Sequence, residues 1–99
     1  MTDERERRGL QAFTDAEHFA GLAATHEDLV YVEENYRIAF DNLKDSPVPE
    51  HRRICAQCLE AVARILDGEG RRDAGNDLRQ QAEAYRKSLG PDRPGVPDA

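Results

Sequence analysis

The stretch PEHRRICAQCLEAVARILDGEG (49–70) decides the fold. Ile54, Cys55, Cys58, Leu59, Val62, Ile65 and Leu66 recur at intervals of three and four, so a helix gathers them on one broad face. Pro49 suits the first helical position, where its missing N–H costs nothing. The DGEG run (67–70) ends the segment and offers a glycine for a left-handed C-cap. A face this wide needs neighbours on more than one side, so the helix over about 49–67 is expected to be the central element of an all-α fold.

The pattern extends in both directions. Towards the C-terminus, Ala74, Leu78, Ala82, Tyr85 and Leu89 form a narrower stripe, which predicts a helix over about 71–89 that docks on one side. Short connections favour antiparallel neighbours. Towards the N-terminus, Leu29, Val32, Tyr36, Ala39, Phe40 and Leu43 have helical spacing, and the prolines of DSPVP (45–49) end the run. Thr14-x-x-Glu17 has the form of a capping box and places a helix start at 14, while Thr25 followed by Asp28 offers a second cap. Gly21 and Thr25 favour a break. Phe19, Leu22, His26 and Leu29 carry the stripe across it and favour one helix over about 14–44, bent near 21–25. Such a helix would be ~45 Å long, and its overhang, bearing Phe13, Phe19 and Leu22, would call for a second subunit.

The expected fold is therefore a small three-helix up-down bundle, or four helices if the first breaks, with an αα-hairpin in its C-terminal half. Residues 14–89 form its single domain. The charged segment 1–13, with DERERR at 3–8, and the Pro/Gly-rich tail 90–99 are expected to be flexible, because neither buries enough to offset ordering. Residues 54–89 resemble a tetratricopeptide-type hairpin in outline: an apolar helix, a glycine-containing turn, then Ala82 and Tyr85 with Pro91 soon after. The turn is longer than that family's, its glycine and aromatic register is not matched, and no second copy follows. The likeness is counted as hairpin geometry.

Composition narrows the function classes. The chain has 99 residues, 38% of them hydrophobic, and a formal net charge of −6. No apolar run approaches the ~20 residues of a membrane span. The start, MTDERERRGL, lacks the apolar core of a secretory signal. Two cysteines do not make a disulfide scaffold, and unbridged thiols on a core face fit a reducing, cytoplasmic compartment. There is no phosphate-binding loop of the Gly-x-x-x-x-Gly-Lys type and no Gly-x-Ser-x-Gly motif. With few hydroxyls left after caps and turns, no catalytic constellation is found, and an enzyme is not expected.

One cluster carries metal-ligand chemistry. His51, Cys55 and Cys58 stand at i, i+4 and i+7, on one helix face, and form three corners of a candidate Zn or Cu site. The alternative reading makes both cysteines small hydrophobes of the core face, with His51 at an exposed helix start and no cofactor. The two Cβ atoms, ~5–6 Å apart at this spacing, are too far apart for the ~3.5–4.5 Å of a disulfide. Asp15-x-x-His18 is a single, imperfect match to the Glu-x-x-His motif of di-iron bundles.

Charge patterning points elsewhere. Residues 15–50 hold nine acids and two bases, net −7, while 51–89 hold six acids and eight bases, net +2. Glu27, Glu34 and Asp41 form an acidic row at spacing seven, and Arg72, Arg79 and Arg86 a basic row at the same spacing. They are either solvated faces or complementary surfaces, within the chain or between chains. The expectation is a small interaction module (adaptor, small subunit or regulator). It would bind a protein partner or a second copy through these rows, with Tyr31 and Tyr36 as candidate aromatic anchors. A metal-binding helical protein is the alternative class. An acidic mimic of nucleic acid, of the kind phages use as inhibitors, is a third. Direct nucleic-acid binding is not expected, because acids interrupt the basic row.

Overall fold

The computed structural model describes residues 3–89, and every regular element among them is an α-helix. There are four: α1 (Glu4–Ala20), α2 (His26–Leu43), α3 (Pro49–Gly68) and α4 (Arg72–Lys87). α1 packs on α2, α2 on α3 and α3 on α4. No helix among the described residues is long and apolar enough to cross a membrane. The tail expected to be flexible, 90–99, lies outside the described residues, as do Met1 and Thr2.

Helix α3 is the central element that its broad face demands. Cys55, Cys58, Val62 and Leu66 face the main core, shared with Ala12 and Ala16 of α1 and Val32, Tyr36, Ala39 and Leu43 of α2. Ala56 and Leu59 form a smaller cluster with Ala82 of α4, edged by Phe40, Leu78 and Tyr85. α4 accordingly buries only Gly75 and Ala82, as expected from its narrow stripe. At the α3–α4 turn Gly70 takes φ +82°, and the Arg71 N–H donates to the Leu66 carbonyl at 2.8 Å.

Two expectations are corrected. First, 14–44 is not one helix. The Thr25 side chain accepts from the Asp28 N–H, and the Asp28 carboxylate accepts from the N–H groups of Ala24 (2.9 Å) and Thr25 (3.1 Å). This cap satisfies the orphan donors of a new helix start. The chain folds back, Phe13 meets Tyr36 edge-on at 6.3 Å, and the expected overhang does not exist.

Second, the helix starts at Glu4, inside the segment expected to be flexible. Asp3 caps it by accepting from the Arg5 N–H, and Glu4 and Glu6 stand in its first turn, where acids suit the helix dipole. The residues it buries are Gly9, Ala12 and Ala16, too small to register as an apolar stripe, with Leu10 and Phe13 packing at the edges. Thr14 is therefore mid-helix, and its hydroxyl donates to the Leu10 carbonyl at 3.0 Å.

Candidate functional site

The residues of the candidate metal cluster are placed at the N-terminal half of α3. His51 is buried rather than exposed. Its Nδ1 is hydrogen-bonded to Ser46 Oγ at 2.8 Å, and its Nε2 lies 3.0 Å from the Glu6 carboxylate. Both ring nitrogens thus tie α3 to the α2–α3 loop and to α1. Cys55 and Cys58 are free and fully buried. Burial pushes the Cys55 thiol up to about 11 and raises Cys58 as well, so both thiols stay protonated at neutral pH in the metal-free chain. Among the described residues no three His, Cys, Asp or Glu side chains converge to hold a metal ion. Asp15 accepts from Gln11 at 3.0 Å, and His18 packs edge-on against Phe19.

The basic row of α4 is taken up inside the chain, by acids that the spacing argument passed over. Arg79 reaches both Asp67 oxygens, at 2.8 and 3.2 Å, and Asn76 at 2.7 Å. Arg86 reaches both Glu60 oxygens, at 2.9 and 2.7 Å. Glu60 and Asp67 are themselves seven apart on α3, so an antiparallel partner presents one arginine to each. These hydrogen bonds hold both carboxyls below their usual range. Arg72 lines the shallow α3–α4 turn and acts on Asp67 only at longer range. The spacing of Glu60 and Asp67 was readable; what had to be known besides was that α4 runs back along α3.

The acidic row of α2 meets no arginine of α4. Glu27, Glu34 and Asp41 lie on the exposed side of the helix, away from buried Val32, Tyr36, Ala39 and Leu43. Asp41 is 3.7 Å from Lys44 on its own helix, while Glu27 and Glu34 have no ion pair among the described residues. Val30, Tyr31 and Ile38 stand half-exposed among these carboxylates. Tyr31 stacks edge-on against Phe19 at 5.2 Å, beside Leu22, which is 64% exposed. Tyr36 belongs to the core instead, and its hydroxyl donates to Glu17 at 2.5 Å.

The described residues form four helices, and the outward side of α2 is of mixed acidic and apolar character. No protein-family model, no characterised protein and no solved structure matches the chain.

Proposed function

We propose that this is a protein-interaction module whose outward α2 face docks an amphipathic, basic helix of a partner protein. The observation that carries the reading is the composition of that face. Val30, Tyr31 and Ile38 supply apolar contact between Glu27, Glu34 and Asp41, and all three stay exposed among the described residues, with Phe19 of α1 only flanking Tyr31. A groove-binding helix is read through apolar anchors three and four residues apart, and opposite charge around them sets register and association rate. The face disfavours a second copy of itself, because Glu27, Glu34 and Asp41 would meet their own counterparts. Arg79 and Arg86 of the basic α4 row, which would otherwise answer them, are engaged with Asp67 and Glu60.

A designed helical peptide with leucines at three- and four-residue spacing, flanked by lysines, tests this by calorimetry. Binding is expected to weaken about ten-fold or more between low and physiological salt, as charge-steered contacts do. Glu27→Lys with Glu34→Lys should abolish it, and Tyr31→Ala should weaken it at every salt. A peptide that binds the charge-reversed variant equally well overturns the reading. So does a concentration-dependent dimer that buries Tyr31.

A further inference from the structure

A cleft of about 520 Å³ opens where the C-terminal ends of α1 and α3 meet the start of α2. It lies on the inner side of α2, contributed by Leu29 and Val32, and is separate from the outward face of Val30, Tyr31 and Glu34. Its walls are largely aliphatic, with Ala23, Leu29, Ala61 and Ile65 prominent. Small-molecule sites occupy ~300–1,000 Å³ and combine apolar walls with a few placed polar groups.

Two fully charged side chains stand at its edge. Glu69 is answered by Arg71 at 3.9 Å and faces His26 at 4.0 Å. Arg64 is exposed and makes no hydrogen bond or ion pair among the described residues. Glu60, the acid of its own helix that feels the Arg64 charge, is already held by both prongs of Arg86. Arg64 therefore offers an uncommitted guanidinium beside an apolar hollow, and its planar fork matches a carboxylate. Tyr36 also lines the cleft, but its hydroxyl is committed to Glu17. Glu69 sets a limit on the ligand, since a second negative charge would meet it.

We propose that this cleft binds an amphiphilic monocarboxylate, with its aliphatic body against Leu29, Ala61 and Ile65 and its head group on Arg64. Decanoate, decanol and decylammonium, each below its aggregation threshold, are the probes, followed by calorimetry and by chemical-shift changes of the cleft methyl groups. Decanoate should bind about ten-fold tighter than either of the others, the equivalent of one charge-assisted contact. Arg64→Gln should erase that preference while leaving helicity and melting temperature nearly unchanged, because Arg64 makes no hydrogen bond or ion pair among the described residues and acts on Glu60 and Tyr36 only at longer range. Ala24→Phe, at an exposed position on the rim, should block all three probes. Equal binding of the three probes, binding of none, or a preference that survives Arg64→Gln overturns the proposal.

Discussion

The α1–α2 and α3–α4 hairpins each bring a helical glycine against the neighbouring helix, but what the glycine meets differs. A Cβ on Gly9 would stand 2.6 Å from Leu43 Cγ and 2.9 Å from its Cδ2. Leu43 is fully buried and has nowhere to go. A Cβ on Gly75 would stand 2.6 Å from an oxygen of Asp67 and 3.1 Å from the Ala63 carbonyl. Asp67 is a half-exposed side chain at the rim of the seam, held by Arg79 but able to shift outward together with it. The first seam is closed by apolar contact that cannot yield. The second is closed by small residues and an ionic ladder that can re-form after adjustment.

The largest effects should therefore fall on the first seam. Leu43→Ala is expected to cost ~2–5 kcal/mol, the range for emptying a buried leucine site. Gly9→Ala should cost ~1–3 kcal/mol by overpacking, in spite of the ~1 kcal/mol that alanine gains over glycine in a helix. Gly75→Ala should stay within about 1 kcal/mol of the parent, because that propensity gain offsets a displaced carboxylate and a small shift of the helix away from the Ala63 carbonyl. Urea denaturation of the three variants measures the contrast. If Gly75→Ala costs as much as Gly9→Ala, the ladder is as rigid as the core and the comparison breaks.

Charge exchange is the next test and targets the second seam alone. Arg79→Asp and Asp67→Arg should each lower the melting temperature, and the double variant should recover a large part of the loss. Pairing Arg79→Glu with Glu34→Arg, the combination that the two seven-residue rows suggest, should recover nothing, since Arg79 contacts α3 and not α2. Recovery in that second pair would mean that the α4 register differs from the one described.

The contrast also explains what was legible in the sequence. α3 and α4 declare themselves because large apolar residues, Ile54, Leu59, Val62 and Leu66 or Leu78 and Tyr85, recur at helical spacing between a proline and glycines. The buried state of Cys55 and Cys58 follows from the same stripe. α1 is hidden because the residues it buries fully are Gly9, Ala12 and Ala16, and because DERERR reads as solvated charge. Only in three dimensions does Glu6 reach His51, and Arg5 the Asp41 carbonyl at 2.9 Å. The α1–α2 break was present as the Thr25–Asp28 cap but was outweighed by continuity of the apolar stripe. The ladder needed a pairing register, which the Gly70 turn sets and no single-helix period contains. The Arg64 cleft needed three helix ends at once.

The smallest effect separates the seams by pH and salt. Arg86 holds Glu60 below the ordinary carboxylate range, Arg79 does the same for Asp67, and the backbone N–H groups of Ala24 and Thr25 do so for Asp28. In each case the folded value lies below the unfolded one. Each therefore contributes stability that is complete above the ordinary values near ~4 and is lost as pH falls through the folded value. Arg79→Gln with Arg86→Gln should flatten the acid limb that belongs to the α3–α4 seam, and Asp28→Asn the limb that belongs to the α1–α2 turn. Salt distinguishes the two further. At 1 M the Debye length is about 3 Å, so the exposed Glu60–Arg86 bridge, worth ~0–1 kcal/mol at low salt, should fade. The short backbone hydrogen bonds to Asp28 should persist. The difference between the parent chain and the double arginine variant should accordingly shrink with added chloride, while the difference between the parent and Asp28→Asn should not. If both differences shrink together, the α1–α2 turn is held by the charge of Asp28 and not by its directed hydrogen bonds.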